Sequence, residues 1–346
     1  MSSRRRSTLS DVAVKAGVSV TTASYILNGR SVEMRISQDA TKRVQTAAAE
    51  LQYRPNRNAR GLRTATTATI GVISDHVASG SYASRMLTGA FTAARARNHL
   101  LVIGETEGDP DVERRLIGEM LDHQVDGILY TTLATSEVDV PPMLADHRLV
   151  MLNCLDVTGR APAVVPDELE GGRTAAGVLI AAGRERRVRV VGHDSDPRAI
   201  AGPLRLQGVR ERLAEVGVEL GEVIPCAWDV VPAFEAVSET LLGSEPISAL
   251  VCLNDRIAMG AYQALAERGL RVPDDVAVVS FDGSDLAGWL RPSVTSVSLP
   301  FAELGAVAVD ALMRGTTKGV QRLAMPLVRG GSTGEGADTG SAHHLV

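Results

Sequence analysis

Thr8-Leu-Ser-Asp-Val-Ala-Val-Lys-Ala-Gly-Val-Ser-Val-Thr-Thr-Ala-Ser-Tyr-Ile-Leu-Asn28 decides how this chain is read. Leu9, Val12, Ala13 and Ala16 fall at the spacing that gives a helix one apolar face, and Gly17-Val18-Ser19 follows as a turn. Ser19 suits the N-cap of a second helix, because its side-chain oxygen can accept from a backbone N–H of the first turn. Ala23, Ile26 and Leu27 supply that helix's apolar stripe up to Asn28-Gly29. Beyond the loop Arg30-Ser-Val-Glu-Met-Arg-Ile36, Ser37 caps a third helix expected from Gln38 to Leu51, and Arg54-Pro55-Asn56 ends it. The Gly17 turn lets the first two helices cross as a helix-turn-helix, with the N-terminal residues of the second free to meet base edges in a major groove. A small bundle used for protein contact is the alternative.

Charge is divided in the same place. Residues 1–63 hold 12 Lys and Arg against four acids, Asp11, Glu33, Asp39 and Glu50, a net of +8; the remainder holds 24 basic and 37 acidic residues, a net of -13. A basic head on an acidic body is the balance that a nucleic-acid partner at one end requires. With 346 residues, 45% hydrophobic and 22% charged, the chain can fill two or three domains. No apolar run reaches the ~18 to 20 residues of a membrane span, and the basic Met1-Ser-Ser-Arg-Arg-Arg-Ser7 leads into no apolar stretch, so the cytoplasm is expected. Cys154, Cys226 and Cys252 are odd in number and far apart, which fits free thiols rather than a disulfide frame or zinc site.

From Thr69 the pattern alternates. Strands are expected at Thr69 to Ser74, His99 to Gly104 and Val125 to Tyr130, with helices near Arg85 to Arg97 and Val112 to His123. The order restarts with strands at Arg187 to Gly192, Glu222 to Cys226 and Ala249 to Leu253, helices at Leu206 to Val216 and Ala233 to Leu242, and further strands at Ala277 to Phe281 and Val294 to Ser298. Two similar α/β halves with parallel sheets follow one helical head. No Gly-x-Gly-x-x-Gly after a strand, phosphate loop with Lys-Ser/Thr or His-Glu-x-x-His is present, so neither enzyme, cofactor nor metal is expected.

At this point the chain resembles the lac repressor (LacI/GalR) family of bacterial transcription regulators, from about residue 7 to residue 330. The resemblance rests on the opening stretch, Ala49-Glu-Leu-Gln-Tyr-Arg-Pro-Asn56, Val125-Asp-Gly-Ile-Leu129, Arg205-Leu-Gln-Gly208, Leu253-Asn-Asp-Arg-Ile-Ala-Met-Gly260 and Gly269-Leu-Arg-Val-Pro-Asp-Asp-Val-Ala-Val-Val-Ser-Phe-Asp282, with Leu304-Gly305. It implies a helix-turn-helix domain over 1–55, a hinge over 56–66, a two-lobed periplasmic-binding-protein-like body over 67–330, and a flexible tail over 331–346. Lobe 1 would take about 67–165 with 299–325, and lobe 2 about 166–298 with 326–330.

The resemblance also implies site residues. Val20, Thr21 and Tyr25 would face bases, with Tyr25 where many members carry an Arg, so a bidentate grip on guanine is not available there. Ser19, Thr22, Asn28 and Ser37 would meet phosphates. In the hinge, Asn56 and Ala59 would contact DNA and Leu62 would be the wedge in the minor groove; Gly61 departs from the Ser often found there. A ligand would sit between the lobes at strand C-terminal ends, held by Asp75, Tyr82, Arg205, Asn254 and Asp282, with Trp228 as a stacking face. The dull alternatives are turn or helix caps for Asp75 and Asn254 and a core place for Trp228. Ala78-Ser-Gly-Ser-Tyr82 replaces the Asn-Pro-Phe-Phe of many relatives, and His76 and His193 follow equivalent strands, at the cleft or simply at the surface.

The expected function is ligand-responsive repression through a palindromic operator in double-stranded DNA. A homodimer would bind it, with a sugar or another small polar metabolite as effector. The rival reading is a solute-binding protein without DNA function, against which the basic head argues.

Overall fold

In the computed structural model, residues 7–53, 66–78, 84–193, 196–243 and 245–334 are described. The hinge candidates Asn56, Ala59 and Leu62, together with Tyr82, lie outside them. The chain divides into two compact units between Thr67 and Ala68.

Among its described residues the first unit holds three helices: α1 (Leu9–Ala16), α2 (Val20–Leu27) and α3 (Gln38–Glu50). Thr8 and Asp11 form a capping box at α1, the Thr8 hydroxyl accepting from Asp11 N (3.2 Å) and the Asp11 carboxylate accepting from Thr8 N (2.8 Å). Gly17 ends α1 at φ 64°, a left-handed conformation that glycine adopts without steric cost. Ser19 and Ser37 cap α2 and α3 through Thr22 N (3.0 Å) and Ala40 N (3.2 Å). Val12, Ala13, Ala16, Ala23, Ile26, Val44, Ala47 and Ala48 close into the core, where burial of Val12, Ile26 and Val44 contributes roughly 1.5–3 kcal/mol each.

The second unit holds two sheets. The first contains β1 (Thr69–Ser74), β2 (Leu100–Glu105), β3 (Ile128–Val138), β4 (Leu149–Asp156), β5 (Ala163–Pro166) and β10 (Val320–Leu323), in the order β10-β5-β4-β3-β1-β2 and parallel throughout. The second contains β6 (Val188–Val191), β7 (Ala249–Cys252), β8 (Ala277–Asp282), β9 (Thr295–Ser298) and the antiparallel β11 (Leu327–Val328), in the order β11-β9-β8-β7-β6. Strands β1, β4, β7 and β8 are buried almost residue by residue, as parallel strands covered on both faces must be. The covers are α4 (Ser84–Ala96), α5 (Pro110–Asp122), α6 (Glu168–Ala181), α7 (Ala201–Ala214), α8 (Val230–Thr240), α9 (Asp255–Glu267), the short α10 (Asp285–Trp289) and α11 (Phe301–Arg314).

Several expectations change. The strand expected at Glu222 to Cys226 is reduced to a bridge between Ile224 and Val191. The strand expected to stop at Tyr130 runs on to Val138 through an irregularity between Thr131 and Ser136. The flexible tail expected from 331 is packed as far as 334: Ser332 and Thr333 are buried, and the Ser332 hydroxyl accepts from Thr295 N (2.8 Å) while Val278 N donates to the Ser332 carbonyl (2.9 Å). The tail thus satisfies backbone groups of β8 and β9. Among the described residues, no helix is long and apolar enough to cross a membrane.

Candidate functional site

In the head, α2 presents Val20 and Thr21 to solvent, whereas Thr22, Tyr25 and Asn28 are half-buried. Ser19 and Ser37 are exposed, with their side chains already capping helices. Asn28 turns inward, its Nδ2 donating to the Ser24 carbonyl (2.7 Å) and reaching the Ser24 hydroxyl (3.3 Å), so it closes the end of α2. Sequence reading missed the neighbour of Tyr25: the Arg30 guanidinium stands 5.3 Å from the ring centroid and is held by both oxygens of Glu33 (2.8 and 2.5 Å).

In the body, the expected ligand residues emerge where the sheets end. Asn254 follows β7, Asp282 closes β8, Arg205 points from α7, and Trp228 precedes α8. Arg205 is 2% exposed. Its Nε and Nη2 donate to the two oxygens of Glu168 (2.6 and 3.2 Å), its Nη1 donates to the Leu253 carbonyl (2.6 Å), and its guanidinium carbon lies 4.6 Å from the Phe281 ring and 5.6 Å from Trp228. Asp282 Oδ1 is 3.9 Å from Arg205 Nη1. Asn254 is first a cap: its Oδ1 accepts from Ile257 N (2.7 Å) and its Nδ2 donates to the Trp228 carbonyl (3.4 Å). Among the described residues the buried Trp228 indole nitrogen has no hydrogen-bond partner.

Asp75 stands on the other lobe, after β1, and joins this group through a relay. Its Oδ1 accepts from Leu133 N (2.9 Å); Asn153 Nδ2 donates to the Leu133 carbonyl (3.1 Å); the Thr135 hydroxyl lies 3.0 Å from Asn153 Oδ1 and 2.8 Å from Glu168 Oε1. Burial pushes the Asp75 carboxyl above its ordinary range, against the pull of the His76 and Leu133 N–H groups. A second link across the lobes is the Arg85–Asp285 ion pair at 2.7 Å. Beside it, Arg85, Asp282, Ser284, Asp285, Trp289 and Phe301 border a cavity of about 300 Å³. A larger hollow of about 820 Å³ on lobe 1 touches none of the expected ligand residues, so the chemistry favours the smaller one.

Glu168, Phe281, Thr135, Asn153 and Asp255 went unread in the sequence. Glu168 follows β5 and opens a helix, a position that its strand context alone could have flagged. Asp255 is buried and accepts from Ser284 N (2.7 Å), the Ser284 and Ser296 hydroxyls (2.7 and 2.9 Å) and the Ser280 hydroxyl, which ties β8, β9 and the residue after Gly283 together beneath the cavity. His76 and His193 are both exposed, each just past its strand. Cys154 and Cys252 are buried and Cys226 half-buried, all as free thiols.

Asp282 carries a pH signature. Burial raises its carboxyl to about 7, opposed by Arg205 and assisted by Asp255 and Glu168. A folded-state pKa above the unfolded value means that the folded body binds the extra proton. The associated stability is complete below about 3.9 and is lost as pH rises through about 7. Urea denaturation followed by tryptophan fluorescence should therefore show a larger loss between pH 5 and pH 8 in the wild type than in Asp282→Asn. Equal losses would refute the assignment.

Comparison with known proteins places this geometry. Residues 8–56 match the bacterial regulatory proteins of the lacI family, and residues 176–333 match the periplasmic binding protein-like domain. The ribose operon repressor of Escherichia coli (strain K12) is 30% identical over 318 residues, covering 90% of this chain and 93% of its own length. Among solved structures, the lac repressor dimer bound to operator and the anti-inducer ONPF shares the fold at TM-score 0.83, with 24% identity over 95% of this chain and 99% of that one. The complex of the transcriptional regulator CelR with cellobiose matches at TM-score 0.66 and 28% identity, over 94% of this chain and 100% of that one.

Proposed function

The chain belongs to the lacI family of bacterial regulatory proteins, and from that premise we propose a division of labour for its residues. As a family member it is a ligand-responsive, DNA-binding transcription regulator and not an enzyme. In the proposed reading, residues 1–55 read DNA, 56–66 form the hinge and 67–330 take the ligand and the partner subunit. Val20, Thr21 and Tyr25 meet bases; Ser19, Thr22, Asn28 and Ser37 lie along the phosphates; Asn56, Ala59 and Leu62 act from the hinge. Asp75, Tyr82, Arg205, Trp228, Asn254 and Asp282 serve the ligand. The observation that carries the ligand reading is the cluster of Arg205, Trp228 and Asp282 at the strand ends, where open parallel sheets form their clefts.

The ligand proposed is a sugar. Cellobiose in the complex of one relative and the ribose operon of another support it, and so does the chemistry here: carboxylates for hydroxyl groups and an indole face for the apolar side of a ring. A homodimer in the cytoplasm is proposed, with two heads on two half-sites of a palindrome. Exposed Phe91, Leu100 and Val102, on α4 and on the edge strand β2, offer an apolar surface for the partner.

Ligand closing the cleft would shift the body between two states that differ in operator affinity. Linkage then requires that DNA change ligand affinity by the same factor as ligand changes DNA affinity. Paired titrations of the full chain at fixed salt test this; unequal factors would reject the two-state scheme. Tyr25→Ala should change which operator bases matter, read by repeating duplex selection with the variant. An unchanged preferred sequence would remove Tyr25 from the base-reading set.

A further inference from the structure

The charge balance at the inner end of the cleft is set by a residue outside the expected ligand set. Glu168 is 2% exposed and takes two N–H groups of Arg205 with its two carboxylate oxygens, while the Leu253 carbonyl takes a third and Phe281 and Trp228 lie against the guanidinium. The guanidinium is thus compensated before any ligand arrives. Other arginines near these residues are also paired: Arg85 with Asp285 (2.7 Å), Arg198 with Asp196 (2.9 Å) and Arg256 with Asp229 (3.2 Å). What remains is negative or neutral. Among the described residues the Asp282 carboxylate accepts no hydrogen bond and has Arg205 Nη1 at 3.9 Å, the Asp75 carboxylate receives only backbone N–H groups, and the buried Trp228 indole N–H has no acceptor.

A hydroxyl group matches these remainders, since it can donate to Asp282 and accept from the indole. A phosphate or carboxylate does not: above about pH 7, where Asp282 is ionised, it would face that carboxylate at short range in a weakly screened site, with the nearest cation already committed. Building such repulsion against the wrong ligand is how specificity is commonly obtained.

We infer that Glu168 is a specificity-determining positioning residue: by holding Arg205 it fits the cleft to uncharged polyhydroxy compounds and excludes their phosphorylated or acidic derivatives. This rests on the reading of the cleft as the ligand site. Thr135, 2.8 Å from Glu168 Oε1, fixes the carboxylate from the neighbouring lobe.

The test uses full-length protein and matched probes: ribose, glucose and cellobiose against ribose 5-phosphate, glucose 6-phosphate and cellobionate, with binding read by tryptophan fluorescence. In the wild type, an uncharged member should bind at least about tenfold more tightly than its anionic counterpart; in Glu168→Gln that ratio should shrink by about tenfold, and in Glu168→Asp it should persist. An anionic probe bound by the wild type as tightly as its uncharged partner would overturn the inference, as would an unchanged ratio in Glu168→Gln. If Glu168→Gln does not fold, the wild-type ratio alone decides. If no sugar binds any form, the sugar reading fails separately, and sulfate becomes the probe. Thermal stabilisation of Glu168→Gln and not of the wild type would then support the role of Glu168, and equal responses would reject it.

Discussion

Arg205→Ala is expected to lower the stability of the body by about 3–5 kcal/mol and to abolish the ligand response of operator binding. The stability loss follows from what the substitution leaves behind. Glu168 is as buried as Arg205, and without the guanidinium its carboxylate keeps only the Thr135 hydroxyl as a hydrogen-bond donor among the described residues. A carboxylate stranded in that way costs several kcal/mol. Replacing both partners, as Arg205→Met with Glu168→Leu, should recover most of the stability while leaving the ligand response absent, since a buried ion pair is worth little against apolar residues of similar volume. Denaturation midpoints from tryptophan fluorescence separate the two effects, because both tryptophans, Trp228 and Trp289, lie in the body. A single variant as stable as the wild type would contradict the buried pairing, and an intact ligand response would take Arg205 out of the site.

Gly208→Ala should be similarly damaging, for a steric reason. A Cβ at Gly208 would overlap the Leu169 carbonyl oxygen, and one at the facing Gly172 would overlap that of Arg205. Backbone meets backbone here, so neither side can yield by a rotamer change. Helices α6 and α7 must move apart, at a cost of about 1–3 kcal/mol or more. These helices carry Glu168 and Arg205, so ligand affinity should fall along with the denaturation midpoint. Gly288→Ala is the control, because nothing lies within 4 Å of a Cβ there. It should stay within about 0.5 kcal/mol of the wild type. Equal behaviour of the two variants would mean that the close approach of α6 and α7 is not what seats the pair.

The sequence made some of this legible and hid the rest, for identifiable reasons. Local chemistry was readable: Ser19, Gly17 and Ser37 act at the helix ends where their side chains or backbone freedom suggested. The runs Thr69-Ile-Gly-Val-Ile-Ser74 and Ala277 to Phe281 form strands because a doubly covered sheet needs continuous apolar stretches. Pairing between distant segments was not readable. Glu168 and Arg205 are brought together only by the packing of α6 on α7, and Asn153 acquires its role at φ 60° from an irregularity in the neighbouring β3. The tail misled in the opposite way, since Ser332 and Thr333 look like linker residues and are held by the backbone of β8 and β9. Asn254 and Asn28 show a further ambiguity: an amide beside a helix end reads equally as a ligand contact and as a cap, and in both places capping comes first.

The decisive experiment is selection of bound duplexes from a random DNA pool with the full-length protein, at near-physiological salt, with and without pooled small metabolites. Salt must be fixed because phosphate contacts make affinity depend steeply on it. Enrichment of a two-fold symmetric sequence, with occupancy that differs between the two conditions, is the result expected of a dimeric, ligand-controlled regulator. No enriched sequence in either condition would contradict it and leave the two-lobed body as a solute-binding protein with a head that does not read DNA.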